Sequence, residues 1–93
     1  MKMDLYDLIV HELEIKKSLA ALIYLIERGR ELEFTVNGQE YFLSRDHSAK
    51  YVSLWNKHHE QSFDSIEELI ENAIVGDGVF ISVWNTIKIE TLF

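Results

Sequence analysis

The spacing of hydrophobic positions switches from helical to alternating and back, and each switch marks an element. At 100° per residue, residues 4–28 place Leu5, Leu8, Ile9, Ile15, Leu19, Leu22, Ile23 and Ile26 in one stripe, which predicts a long N-terminal helix. Glu12 and Lys16 fall inside that apolar sector. Either the helix breaks or bends near 12–16, or its first half leaves the core. Residues 19–26 have the opposite fault, being apolar nearly all round, with Tyr24 and Leu25 facing away from the stripe. A helix apolar on every side must be covered on every side, which one sheet does not do. Leu19, Leu22, Tyr24 and Leu25 are therefore candidate self-association residues. Gly29 suits the helix C-terminus, with Arg28 favouring the negative end of the dipole.

From residue 32 the pattern alternates. Asn37-Gly38 calls for a type I′ turn, because both positions tolerate positive φ. A two-residue loop fixes the register. Val36 faces Gln39, Phe34 faces Tyr41 and Leu32 faces Leu43, all on one face. Glu33, Thr35 and Glu40 take the polar face, where Phe42 is the exception and calls for a cover from outside the sheet. Residues 45–49 read as a polar connection, 50–55 as a third antiparallel strand, and 56–62 as loop. The helical period returns at 65–75. Ser65 and Glu68 match the S-x-x-E capping box, Asp64 suits the positive end of the dipole, and Ile66, Leu69, Ile70, Ala73 and Ile74 form the apolar face. Gly76-Asp77-Gly78 is expected to end that helix. The tail fits a short helix over 79–85 and a half-buried edge strand over 87–92, where Ile87, Ile89 and Thr91 alternate with Lys88 and Glu90.

These elements define an α+β fold: a long N-terminal helix, a three-stranded antiparallel meander, an amphipathic helix, a short C-terminal helix and an edge strand. The 93 residues form a single domain, with a helical segment at 1–29 available for oligomerisation and an α+β core at 30–93. A domain this small buries a modest share of its surface and gains from a second copy.

Composition then narrows the function. There is no cysteine, so disulfides, thiolate metal sites and cysteine nucleophiles are excluded. The longest uncharged apolar run, 19–26, is too short for a membrane span, and the acidic N-terminus lacks the basic region of a signal peptide. A cytoplasmic protein is expected. The net charge of −7 argues against direct nucleic-acid binding, which needs a basic footprint. Between Lys57 and Lys88 there is no Lys or Arg and there are six acids. Asp64, Glu67, Glu68 and Glu71 form a ridge at i, i+3, i+4 and i+7, a candidate docking face for a basic partner and equally an ordinary solvated helix face.

Catalytic constellations do not form. His58-His59-Glu60 and Asp46-His47 lack any H-x-x-x-H or H-E-x-x-H spacing. No serine lies in a G-x-S-x-G elbow, and Ser44 and Ser48 near His47 have no third group to complete a triad. The segment VGDGVF lacks the lysine of a phosphate loop, and Asp77 repels phosphate. No cofactor or metal is expected. The two tryptophans are most simply core. Trp55, at a strand end beside a polar segment, is the better placed of the two to anchor a partner.

The series ERGRELEFTVNGQEYFLS followed by QSFDSIEELIENAIVGDGVFISVWNTIKIE resembles small proteins of Gram-positive bacteria and their phages. The overlap covers 28–91, and its motifs are turn, cap and core positions. The resemblance implies the fold and a mobile-element origin, and supplies no activity. The expected function is a non-enzymatic interaction module that forms a homodimer. The first alternative is a mobile-element inhibitor or decoy, of anti-CRISPR or anti-repressor type, using the acidic face. The second is a metal-dependent enzyme built on His47, His58, His59 and Glu60.

Overall fold

The computed structural model describes residues 4–46, 48 and 50–93. The long N-terminal helix of the sequence pattern is two helices, α1 (Leu5–Lys16) and α2 (Leu19–Glu27). The break falls just beyond the charged pair that spoils the stripe. Lys17 adopts the left-handed conformation at φ 52°, and its N–H closes α1 on the Glu12 and Leu13 carbonyls. Ser18 then caps α2, its hydroxyl accepting from the Ala21 N–H at 3.1 Å. Asp4 does the same for α1.

The hinge is held from the far end of the chain. The Lys17 ammonium donates to the carbonyls of Trp84, at 2.7 Å, and Ile87, and it lies 5.0 Å from the centre of the Trp84 ring. The Trp84 indole N–H donates back to the Lys17 carbonyl at 2.8 Å. Burial holds this ammonium below the ordinary lysine pKa.

The hairpin forms in the predicted register: β1 (Leu32–Val36) pairs with β2 (Gln39–Asp46) through Leu32–Leu43, Phe34–Tyr41 and Val36–Gln39. Asn37 and Gly38 have φ of 50° and 79°, as the turn demands. β3 (Tyr51–Asn56) follows, and the meander does not stop there. Residues expected to be loop form β4 (His59–Phe63), reached through a tight turn in which Lys57 carries φ 56°. At the other edge, β7 (Lys88–Leu92) pairs with β1, completing a five-stranded antiparallel sheet in the order β4-β3-β2-β1-β7. The register slips between Glu33 and Phe34, so that Leu32 meets Leu92 while Phe34 meets Ile89. This bulge reverses the expected alternation, and Leu92 takes the half-buried place assigned to Thr91.

Between β4 and β7 lie α3 (Ile66–Asn72), a two-stranded hairpin of β5 (Ile74–Val75) and β6 (Gly78–Val79), α4 (Phe80–Val83) and a 3₁₀ turn (Trp84–Thr86). The Ser65 hydroxyl accepts from the Glu68 N–H at 3.1 Å, as the capping motif requires. α3 ends three residues earlier than its apolar spacing suggested, because the Gln61 carboxamide takes both the N–H and the carbonyl of Ile74, at 2.7 and 2.8 Å, and holds that residue extended. Ile74 leaves the core and is 54% exposed, and Gly76-Asp77 turns a hairpin rather than capping a helix.

The core sits on one face of the sheet. Leu32, Phe34, Val36, Tyr41, Leu43, Val52 and Leu54 meet Leu22, Leu25 and Ile26 of α2, Ile66, Leu69 and Ile70 of α3, and Phe80 and Trp84. Phe34 stacks on Tyr41 and meets Phe80 edge-on, and Phe80 stacks on Trp84. α1 packs on α2 through Leu13, fully buried, with Tyr6, Ile9 and Val10 half-buried around it. The cover that Phe42 needs on the opposite face comes from Phe93, 6.1 Å away ring to ring. No helix among the described residues is long and apolar enough to cross a membrane.

Trp84→Phe removes the indole N–H and leaves the part-buried Lys17 carbonyl without its donor. Unfolding in urea should show a loss of about 1–2 kcal/mol, well above the few tenths expected for a change in ring shape at an exposed site.

Candidate interaction surfaces

Helix α3 is short and amphipathic, so its buried face fixes where its acids point. Ile66, Leu69 and Ile70 are in the core, and Glu67, Glu68 and Glu71 are exposed, with Asp64 exposed just ahead of the Ser65 cap. The structure does bring these four carboxylates to one surface, and among the described residues no ion pair compensates them.

The candidate self-association residues divide. Leu22 and Leu25 are fully buried in the chain's own core and are not available to a second copy. Leu19 and Tyr24 are half-buried, and the Arg28 guanidinium covers the Tyr24 ring at 4.2 Å. The surplus apolar surface lies on α1 instead. Leu5, Leu8 and Ile15 are 65%, 47% and 68% exposed, and the half-buried Glu12 between them is ion-paired to Lys16 at 3.3 Å. An open apolar groove between the helices, lined by Ile9, Ala20, Ala21 and Tyr24, runs beside them.

The histidine candidates do not converge. His47 lies outside the described residues. His58 sits in the β3–β4 turn, and His59 and Glu60, being adjacent on a strand, point to opposite faces of the sheet. Among the described residues no group of three or more metal-binding side chains comes together. His59 instead lines an open groove of about 470 Å³ with Asn56, Gln61, Ile74 and Asp77.

Because β4 is a strand, Glu60 joins the outer face of the sheet, where cross-strand pairing builds an arrangement the sequence reading missed. Glu60 lies opposite Trp55, Trp55 opposite Phe42, and Phe42 opposite Glu33. One transverse row across four strands thus reads carboxylate, indole, phenyl, carboxylate. The next row is Ser62, Ser53 and Ser44. Ser53, 2% exposed, donates to the Glu60 carboxylate, and Ser62 donates to the same oxygen at 3.0 Å. Two hydroxyls therefore fix the orientation of Glu60 beside Trp55. The signal available in the sequence was the alternation of His59, Gln61 and Phe63 with Glu60 and Ser62. It was masked by a turn lacking glycine or asparagine at its positive-φ position.

The charge on this face acts on Tyr51, which precedes Ser53 on the same side of β3. Glu60, and after it Asp46, raise the Tyr51 phenol above the ordinary tyrosine pKa, with a smaller contribution from burial. A raised acid pKa means that the unfolded chain loses this proton first. The phenol therefore costs nothing below about pH 10 and lowers stability as pH rises beyond it. In an ultraviolet titration, Tyr51→Phe should remove a late-titrating component, and Glu60→Gln should shift that component to lower pH.

Comparisons of the chain with family models, with curated proteins and with solved structures gave no match.

Proposed function

We propose that this chain is a non-enzymatic interaction module that acts as a homodimer in the cytoplasm, the two copies meeting along α1. The observation that carries this reading is the exposed row of Leu5, Leu8 and Ile15 on a helix whose other side already packs on α2. With Glu12 included, the positions are spaced 3, 4 and 3 residues apart, the spacing of a helix–helix seam. That sequence of spacings is its own reverse. An antiparallel second copy therefore presents a matching row, Leu5 against Ile15 and Leu8 against Glu12, in both directions at once. The pairing of Glu12 with Lys16 offsets the one charge on the seam. The seam lies on α1 rather than on the 19–26 helix, whose Leu22 and Leu25 serve the core.

Sedimentation equilibrium should show a concentration-dependent dimer. Leu8→Lys or Ile15→Glu should shift it to monomer, raising the dissociation constant at least tenfold and leaving urea stability within about 0.5 kcal/mol of the parent under monomeric conditions, since both residues are exposed. A parent that stays at 10.9 kDa at high concentration overturns the reading.

A second reading has its own support in the acidic surface of α3. Four exposed and uncompensated carboxylates suit a decoy or inhibitor that occupies a basic nucleic-acid-binding protein, and the resemblance to small phage proteins points the same way. Reversing Glu67, Glu68 and Glu71 to lysine should abolish binding to such a protein, and raising salt from about 0.1 to 1 M should weaken it.

A further inference from the structure

We propose that the outer face of the sheet is a receptor for an arginine-bearing segment of a partner protein, with Trp55 as the stacking platform and Glu60 as the carboxylate that takes the guanidinium, while Glu33, at the far end of the row, is placed for a second cation of the same segment. The argument starts from register. The transverse row places two half-buried rings side by side with an exposed carboxylate at each end. A guanidinium is planar, keeps its charge, stacks on aromatic faces and pairs with carboxylates in a fork, so a ring flanked by a carboxylate fits both of its modes of recognition. An ammonium also sits over a ring but lacks the planar fork that meets a carboxylate.

The carboxylate end is also built in advance. Ser53 and Ser62 both donate to one Glu60 oxygen. That bonding ties the carboxylate to the serine row, diagonal to Trp55, and lessens the ordering cost of capture. At the other end of the row, Glu33 joins Glu40 and Glu90 around an open depression of about 270 Å³, enough for the end of one long side chain. The cations facing this surface sit at its margins. Lys88 meets Glu90 at 3.7 Å, and Lys57 lies in the β3–β4 turn near Glu40.

The chain uses the same chemistry on its own rings. Arg28 lies over Tyr24 at 4.2 Å, Arg30 over Tyr6 at 5.0 Å and Lys17 over Trp84 at 5.0 Å. Among the described residues, Trp55 has a neighbouring acid and no stacked cation, while Phe42 beside it is covered by Phe93. The surface is separate from the α1 seam and does not depend on dimer formation.

The test uses hexa-arginine and hexa-lysine peptides at about 0.15 M salt, where unspecific surface attraction is largely screened. Binding is followed by calorimetry and by the indole N–H resonance of Trp55. Hexa-arginine is expected to bind and to shift that resonance while leaving buried Trp84 unmoved, and hexa-lysine to bind several-fold more weakly. Trp55→Ala and Glu60→Gln should each weaken hexa-arginine about tenfold. Glu60→Gln preserves shape, so it stands if the alanine variant folds poorly. The control replaces the exposed Glu14 and Glu27, which lie on neither acidic surface, by glutamine and should change the affinity less than twofold. Absent binding overturns the proposal, as does an affinity that falls equally in this control or does not distinguish arginine from lysine.

Discussion

The reciprocal clasp between Lys17 and Trp84 is the constraint on which the rest of the structure depends. Lys17 occupies a backbone conformation that costs a non-glycine residue about 1–2 kcal/mol, and the local offset is the closure of α1 on the Glu12 and Leu13 carbonyls. Further compensation comes from 67 residues along the chain, where the Trp84 indole and carbonyl close a two-way exchange with the same residue. Because the hinge is fixed there, α1 folds back on α2 instead of continuing it. Because Trp84 is fixed there, the 3₁₀ turn delivers Ile87 to the core and starts β7 beside β1. The α1–α2 hinge and β7 are therefore ordered together.

That arrangement divides the surface by chemistry. The inner face of the sheet is filled by α2, α3 and α4, so the apolar demand of the 19–26 segment is met within one copy. What remains outside is of two kinds: an aliphatic row on α1, and an acidic and aromatic face on the sheet, with the α3 carboxylates on a third side. The first suits a like surface, and the others suit cations. The serines on the sheet bond to a carboxylate rather than to a histidine.

Much of the fold was legible where a single local rule had no competitor. Asn37-Gly38 dictates its turn, and the register of β1 and β2 follows to the residue. The Ser65 cap and the helix-then-strand order of 80–92 are equally local. Two of the failures share a cause. Lys17 and Lys57 hold positive-φ positions where glycine or asparagine ordinarily signals a break. Sequence rules read through the first as continuous helix and past the second as loop. Tertiary contacts hold Lys17 there, and cross-strand pairing of Asn56 with His59 closes the turn around Lys57. Losing β4 also hid the candidate site, since Glu60 and Trp55 become neighbours only when that strand exists. The α3 acids were visible because helical spacing alone places them.

The bulge in β7 has a consequence for how copies of this molecule meet. A regular edge strand offers an evenly spaced ladder to any passing strand, and a sheet with such an edge grows by accretion into fibres. Here the edge skips a residue at Glu90 and carries Lys88 and Glu90 as charged, exposed side chains. An incoming strand would lose hydrogen-bond phase within a few residues and bury charge as it did so. Strand addition at this margin is self-terminating.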